Sequence, residues 1–518
     1  MIYSGIITNP RQLLRHFTIA TIGLIGLILV FLLTNQSGAG ITPDSVAYIS
    51  AARNLAEGNG LLTYNGLYLV VQPPLYPILL AIIKTITLTD PMISAGYVNG
   101  VLFGLIVYLS GLFLFRILNS FFLTFLGTVS VLISFTLIQS SVMALSELLF
   151  ILLLLLFLYF FGSYQKKRDQ FSLFLFSASA ALSCLTRYTG IVIICTGMAG
   201  IIFMIGDSRK KKILNSIVFL LITIIPISIW IVRNYFISGT LVGIRAASSY
   251  SLVENSEFFI STILHWFTAS QSLFAYSLLI LSIPMIWIVF GFVSGKSAMK
   301  ESVNLIGPCF LFLILYAGTI IISSTTTAYD RIGERLLSPI YIPAILISFF
   351  IIDKIQLWLT SFSSRKLVAL SLVSCIALLM IYPVEKTLAF LTEYFTLHGS
   401  GYNSKSWRES ETIEYLLQHD LPGNHYSVYS NEPEAVYIFT NVRSKRSPAK
   451  KFYNSPQLYN TALNQSNGWQ HGENVCLIWF NKNDRSFLFT IKELKIQVNM
   501  TQIAHLRDGE IYTFSQNR

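Results

Sequence analysis

The sequence contains few charged residues. Asp, Glu, Lys and Arg make up only 12% of its 518 residues, about half the share that a soluble domain usually carries. Hydrophobic residues account for 53%, and they gather in long apolar runs separated by short polar links. Runs of this kind are typical of helices that cross a bilayer. The composition argues against an ordinary soluble domain and predicts a mainly α-helical, polytopic membrane protein.

The five cysteines do not form a disulfide framework. Four of them lie in apolar runs (Cys184, Cys195, Cys309 and Cys375), and Cys476 stands alone in a polar tail. We interpret all five as small buried hydrophobic residues. The sequence has no Cys/His spacing typical of zinc, no Gly-rich phosphate loop and no nucleophile elbow. These absences disfavour an enzyme that uses a nucleotide sugar from the cytoplasmic side.

The apolar runs predict eleven membrane spans. They lie near residues 17–35, 92–115, 121–140, 147–164, 171–185, 190–206, 213–232, 273–293, 303–323, 336–352 and 367–384. The first run resembles a secretory signal, but it is longer than a typical signal core and many spans follow it. Residues 1–384 are therefore predicted to form the membrane domain.

Basic residues predict the orientation of the spans. Residues 1–384 contain 22 Lys or Arg and 12 Asp or Glu. With the N-terminus in the cytoplasm, fifteen of these cations lie on the inner side and seven on the outer side, which satisfies the positive-inside bias. The charge excess thus reflects membrane topology, and nucleic-acid binding is a poor explanation. An odd number of spans places the tail outside the cell membrane.

The outer cations differ in kind from the inner ones. Six of the seven are arginines that adjoin apolar runs, and the seven are Arg53, Lys84, Arg187, Arg233, Arg245, Arg331 and Arg335. The planar guanidinium suits bidentate contact with phosphate, so these arginines indicate a binding site. The alternative is that single side chains extend to the membrane interface without a function.

Two outer segments are too long to be simple loops. Residues 46–57 and 74–87 have the spacing of short amphipathic helices, which we place in the outer interface. We expect interfacial helices in 233–272 as well. In the tail, residues 385–518, helices near 411–419, 433–439 and 485–495 and strands near 426–429, 475–480 and 510–514 are predicted. This alternation indicates a small α/β domain outside the membrane.

Two acids stand at predicted helix starts on the outer side. Asp44 follows the first span, and Glu147 begins the fourth. Each has an ordinary explanation, because a carboxylate at a helix N-terminus caps or stabilises it. Each could instead serve a site, since an ionised carboxylate at this depth could take a proton from an incoming hydroxyl. The sequence leaves both interpretations open.

The order and sidedness of several short motifs resemble the GT-C class of membrane glycosyltransferases. The resemblance is strongest to glycosyltransferase family 39 and its relatives, which include protein O-mannosyltransferases and lipid A aminoarabinose transferases. It covers roughly residues 10–350. It depends mainly on residues 43–48 (PDSVAY) and 72–77 (QPPLYP), with weaker matches at 145–148, 185–190, 230–235 and 335–339.

This resemblance implies an inverting glycosyltransferase. Its donor would be a polyprenyl-phosphate sugar, and its acceptor a glycan, lipid or protein on the outer face. Asp44 would act as the base, and Glu147 would match the second acid of the class. The phosphate candidates are Arg187 first, then Arg335 and Arg331, and then Arg233. Tyr48 and Gln72 belong to the matching motifs and are further substrate-contact candidates.

One position departs from the family pattern. Lipid A aminoarabinose transferases carry a lysine before Pro-Pro, whereas this chain has Gln72. Lys84 is a candidate to supply the missing charge. Relatives differ in their use of divalent cations, and two carboxylates do not decide whether one is needed. A lipid or polysaccharide transporter and a non-catalytic envelope scaffold stay open as alternative functions.

Overall fold

The chain is mainly helical, and each predicted span that lies within the described residues coincides with one or more helices. The computed structural model describes residues 10–35, 38–268, 297–359, 365–397, 399–419, 426–458, 469, 474–482 and 485–515. Its first eleven helices are α1 Pro10–Asn35, α2 Pro43–Ala56, α3 Leu75–Thr87, α4 Pro91–Ile117, α5 Phe121–Leu132, α6 Phe135–Ser141, α7 Glu147–Lys167, α8 Gln170–Thr186, α9 Ile191–Ala199, α10 Arg209–Ser238 and α11 Leu252–Leu264. Then come α12 Ser297–Thr326, α13 Glu334–Leu359, α14 Arg365–Leu397, α15 Lys405–Arg408, α16 Glu411–Gln418, α17 Pro433–Thr440 and α18 Ile491–Gln497.

Among the described residues, six helices are long and apolar enough to cross a membrane. They are α1, α4, α7, α10, α12 and α13, and the pair α5–α6, bent by 47°, is a seventh candidate. The protein is therefore a multi-pass membrane protein, but the count of eleven spans is not confirmed. The predicted spans 171–185 and 190–206 are shorter apolar helices. The span predicted at 273–293 lies outside the described residues.

The two interfacial helices predicted after the first span are present as α2 and α3. Thr42 caps α2, because its side chain accepts a hydrogen bond from the Ser45 backbone while the Ser45 hydroxyl accepts one from the Thr42 backbone. Pro43 occupies the first turn, where its missing N–H costs nothing. The N-cap explanation for Asp44 is therefore wrong, since Thr42 performs that role and leaves the carboxylate free to point elsewhere.

A short backbone bridge joins three distant segments beneath α2. Gly40 pairs in parallel with Met143, and Ile41 pairs in parallel with Gly401. The Gly40 N–H donates to Val142 at 2.7 Å, and the N–H that follows Gly401 donates to Ile41 at 2.8 Å. Because α2 starts just after this bridge and α7 just after Met143, the bridge sets the positions of both helix N-termini.

The tail contains a five-stranded mixed sheet. Its strands are β1 Tyr426–Ser430, β2 Lys445–Arg446, β3 Asn474–Phe480, β4 Thr501–Leu506 and β5 Gly509–Ser515, in the order β2-β1-β3-β5-β4. β1 is parallel to β2 and β3, whereas β5 is antiparallel to β3 and β4. The predicted strands β1, β3 and β5 are present, while β2 and β4 were not predicted. The helix expected at 485–495 begins only at Ile491, and α14 continues past residue 384 to Leu397.

A buried carboxylate of the tail, held by two tail arginines, binds the first outer loop. Glu434 is 1% exposed and contacts Arg446 at 2.8 Å and Arg485 at 3.1 Å. Burial alone would raise the pKa of this carboxyl, but the two arginines outweigh it and hold the pKa at about 2. Tyr64, between α2 and α3, donates to the same carboxylate at 3.1 Å. The tail is thereby fixed against the loop that follows α2, the helix that carries Asp44.

Replacement of Gly401 with Ala should destabilise the protein. Gly401 has a φ of +61°, and a Cβ there would lie 2.0 Å from the Ile41 carbonyl oxygen. Gly58 is the matched control, because its φ is +82° and no atom lies within 4 Å of the corresponding Cβ position. Gly58→Ala should cost only the backbone term of about 1–2 kcal/mol, whereas Gly401→Ala adds overpacking of about 1–3 kcal/mol.

The measurement is thermal unfolding of both variants in detergent, followed by tryptophan fluorescence. Equal losses of stability in the two variants would show that the Ile41–Gly401 pairing contributes little to the fold.

Candidate active site

A cavity of about 410 Å³ opens between the N-terminal ends of α2, α7 and α13, the C-terminal end of α8, and the tail. Its lining includes six of the predicted site residues, namely Asp44, Tyr48, Gln72, Glu147, Arg187 and Arg335. These residues come from five separate chain segments. A site of this kind can assemble only through tertiary packing, because Asp44, Glu147, Arg187 and Arg335 are far apart in sequence.

Asp44 is held from two sides. Its Oδ2 accepts a hydrogen bond from Arg335 Nη1 at 2.9 Å, and its Oδ1 accepts one from Gln72 Nε2 at 3.1 Å. The carboxylate is 39% exposed, so it is ordered and still within reach of a ligand in the cavity. Gln72, which replaces the lysine of the family pattern, thus contacts Asp44 directly.

Glu147 lies at the buried end of the cavity. Its side chain is 1% exposed, and its Oε1 is 2.5 Å from Nη1 of Arg187. Its Oε2 accepts no hydrogen bond from any of the described residues. Glu147 is not the N-cap of α7, because Ser146 occupies that position. A buried carboxylate needs a partner such as Arg187, and an unpaired buried oxygen is a candidate ligand-binding atom.

Arg335 connects the acids of the site. In addition to Asp44, it contacts Asp330 at 3.3 Å through Nη2, and its Nε lies 3.8 Å from Glu147. Asp330 and Arg335, five residues apart, therefore form a local ion pair. Glu334 does not join it, since this carboxylate pairs with Lys386 at 2.6 Å. Arg335 is thus shared by three carboxylates and can exchange one of them for another anion.

Tyr48 adds a polar group to the wall of the cavity. Its hydroxyl is 3.2 Å from Ser146 Oγ, and the same Oγ is 3.5 Å from Arg187 Nη1. Burial raises the pKa of the Tyr48 phenol, and the nearby Asp44 charge raises it further. The phenol therefore stays protonated and retains a hydrogen that it can donate.

Three of the predicted site residues do not line this cavity. The Arg331 guanidinium stacks 3.9 Å from the ring centroid of Phe258. Arg233 donates to the Leu69 carbonyl at 2.6 Å. The Lys84 ammonium lies 2.7 Å from Glu57, so it does not supply the charge missing at Gln72.

Several other lining residues were not among the predicted site residues, and Arg245 and Tyr453 are two of them. Arg245 donates to the Val71 carbonyl at 3.3 Å and reaches the cavity from the segment after α10. Tyr453 comes from the tail, and its hydroxyl donates to Asp330 at 2.8 Å. The outer position of Arg245 was a usable signal. No sequence pattern marks Tyr453, because it reaches the site only when the tail folds against the membrane domain.

The described residues contain no group of three or more His, Cys, Asp or Glu side chains that could hold a metal ion. Both central carboxylates are instead engaged by arginine, Asp44 with Arg335 and Glu147 with Arg187. The arrangement combines exposed acid oxygens with guanidinium groups in one water-accessible chamber. It can bind an anion and accept a proton within the same small volume.

No protein-family model matches the sequence, and no curated protein matches it. Solved structures do. ArnT from Cupriavidus metallidurans, bound to undecaprenyl phosphate, aligns with a TM-score of 0.59 at 10% identity over 95% of this chain and 97% of that chain. The oligosaccharyltransferase AglB from Archaeoglobus fulgidus, in complex with an inhibitory peptide and a dolichol-phosphate, aligns with a TM-score of 0.52 at 12% identity over 90% of this chain and 69% of that chain.

ArnT, a lipid A aminoarabinose transferase, and AglB are both GT-C class glycosyltransferases. At these identities the similarity establishes the fold. The resemblance to the GT-C class that the motifs indicated is confirmed at this level: the chain has the fold of the GT-C membrane glycosyltransferases.

Proposed function

We propose that this protein is an inverting glycosyltransferase that moves a sugar from a polyprenyl-phosphate carrier to an acceptor on the outer face of the membrane. One observation carries the proposal: the Asp44 carboxylate shares a cavity with the guanidinium groups of Arg187 and Arg335. Both compared structures were solved with a polyprenyl phosphate or dolichol phosphate. Their fold and this arrangement of charges favour the same class of donor.

Arg335 is the proposed primary contact of the donor phosphate. Among the residues that the structure describes, its Nη2 is engaged by Asp330, at 3.3 Å, and that carboxylate is 50% exposed. A phosphate can take the place of Asp330 there, because its oxygens match the guanidinium fork better than one exposed carboxylate does. Arg187 lies deeper and is held by Glu147. It would stabilise the charge that develops on the leaving phosphate oxygen.

The reaction would proceed in one displacement. The acceptor oxygen forms a bond to the anomeric carbon as the bond from that carbon to the phosphate oxygen breaks. The bonding electrons leave with the lipid phosphate, and the acceptor proton passes to Asp44. An ordinary Asp, with a pKa of about 3.9, is a weak base, so the proton moves late, when the acceptor oxygen has become more acidic.

Glu147 has a supporting part in this proposal. Its Oε1 fixes Arg187, and its Oε2 faces no donor among the described residues. Buried at 1% exposure, it is too enclosed to meet an acceptor hydroxyl directly. We assign it the orientation of the two arginines. Tyr48 would donate a hydrogen bond to the bound sugar.

The acceptor would enter beside the tail. Tyr453 and Arg245 border the cavity on this side, and Gln72 contributes an amide in place of a charge. These groups suit a hydroxylated acceptor of modest charge, and they make a glycan or lipid acceptor the first to test. A protein acceptor stays within the proposal.

Asp44→Asn should lower transfer by about 10²–10⁴-fold, the usual contribution of a general base. The amide keeps the size of the side chain and its contact with Gln72 but cannot take a proton. The measurement is sugar transfer in proteoliposomes that contain defined polyprenyl-phosphate sugars. Glu57→Gln is the matched control, because Glu57 caps the far end of α2 and forms an exposed ion pair with Lys84. Transfer by Asp44→Asn at the control rate would remove Asp44 as the base.

Arg187→Gln should weaken the binding of a polyprenyl phosphate and slow transfer by about 10²–10³-fold, as the loss of one charge-stabilising donor does. Binding is measured by competition with labelled undecaprenyl phosphate. Arg233→Gln serves as the control, since Arg233 is an outer arginine that does not line the cavity. The double variant Arg187→Gln/Glu147→Gln leaves no unpaired buried charge and separates misfolding from lost function. Normal donor binding in this double variant would contradict the phosphate assignment.

The cavity should be open to water on the membrane face opposite the basic cluster at residues 209–212. In a cysteine-free background, Ser323→Cys in the cavity wall should react with a membrane-impermeant thiol reagent added outside oriented cells. Thr128→Cys, whose side chain is fully buried, should not react. Labelling of Ser323→Cys only from the cytoplasmic side would reverse the predicted orientation, including the cytoplasmic N-terminus and the outer tail.

A further inference from the structure

A second cavity lies at the opposite end of the helices that build the site. It has a volume of about 660 Å³ and is formed by the ends of α4 and α7 and the start of α8. Helix α7 has 21 residues, which span about 30 Å at 1.5 Å per residue. That length equals the thickness of a bilayer's hydrocarbon core. The second cavity therefore lies at the other membrane surface, remote from Asp44.

The polar lining of this cavity is strongly basic. It includes Arg116, Lys166 and Lys167 and one acid, Asp169. Both oxygens of Asp169 are already used to cap α8, with Oδ1 accepting from the Ser172 N–H at 2.7 Å and Oδ2 from the Ser172 hydroxyl at 3.0 Å. The cavity thus sets three cations against one carboxylate, so its charged lining has an excess of positive charge.

One of the cations is held in place before any ligand arrives. The Arg116 guanidinium lies 3.7 Å from the ring centroid of Tyr159 and also donates to the Tyr159 hydroxyl. Stacking on an aromatic ring fixes the plane of the guanidinium and leaves its outer N–H groups available. Lys166 and Lys167 are exposed at the mouth of the cavity, where their flexible stems can adjust to an anion.

The remaining wall is apolar. Phe113, Leu158, Phe171 and Leu175 line it below the charged groups, and Phe171 is among the large exposed hydrophobic residues. A free phosphate ion would use the cations and leave this wall uncovered. A molecule with a phosphate head and an aliphatic body would cover both.

We propose that this cavity binds an anionic phospholipid, with the headgroup phosphate between Arg116 and the two lysines and the first part of an acyl chain against the apolar wall. Basic pockets between membrane helices suit such headgroups, and each cation near the surface strengthens the attraction. This lipid site is separate from the donor cavity and does not depend on the proposed transfer reaction.

The test is retention of phosphatidylglycerol by the full chain. The protein is placed in nanodiscs of phosphatidylcholine with increasing phosphatidylglycerol, and bound lipid is measured by native mass spectrometry. Lys166→Gln/Lys167→Gln should reduce retention by roughly tenfold or more, given the attraction that each basic residue near the membrane surface contributes. Both lysines are exposed, so the fold should persist, and thermal unfolding in pure phosphatidylcholine nanodiscs should match the wild type.

The matched control removes two charges elsewhere at the same membrane surface. Arg209 and Lys210 begin α10 and do not line the cavity, so Arg209→Gln/Lys210→Gln should leave retention within about twofold of the wild type, because screening limits charge effects across the surface. An equal loss in both double variants would reduce the effect to general surface charge and overturn the site. Displacement of the bound lipid by inorganic phosphate would overturn the phospholipid assignment.

Discussion

The ion-pair network around Arg335 is the interaction on which the site depends. One guanidinium contacts Asp44 at 2.9 Å, approaches Glu147 at 3.8 Å and contacts Asp330 at 3.3 Å. Charges at the ends of apolar helices are costly unless they are paired, so these side chains hold one another in the cavity. The pairing also keeps them ready for an anion, because a phosphate can replace a carboxylate at Arg335 without leaving a buried charge alone.

The backbone bridge among residues 40–41, 142–144 and 400–402 gives this network its geometry. It places the N-terminus of α2, with Asp44, beside that of α7, with Glu147. It also ties the start of the tail to the same place, and the hydrogen bond from Tyr64 to Glu434 adds a second attachment. The tail therefore forms part of the wall of the site, which explains how Tyr453 reaches Asp330.

The sequence predicted the features that depend on local pattern or on membrane side. The apolar runs marked most helices. The sequence predicted the same membrane side for Asp44, Glu147, Arg187 and Arg335, and these four residues line one cavity. The sequence could not predict which of the outer arginines point into the cavity. Arg331 and Arg335 are four residues apart, but Arg331 precedes α13 and its guanidinium packs against Phe258.

Other features were beyond the sequence for equally physical reasons. Thr42 competes with Asp44 for the role of N-cap, and both residue types are good caps. β4 has an exposed, mixed pattern that lacks the continuous buried run of β3, so its sequence does not reveal it. The count of spans depended on short apolar helices such as α8, whose 17 residues are at the lower limit for crossing a bilayer.

The most direct measurement is an experimental structure of the protein with a bound polyprenyl phosphate. A donor site of the kind proposed predicts density for the phosphate in the cavity, in contact with Arg335 and close to Arg187, with Asp330 displaced from Arg335 and the Asp44 carboxylate facing the open space beside it. Phosphate density outside this cavity, with the Arg335 ion pairs unchanged, would contradict the central claim.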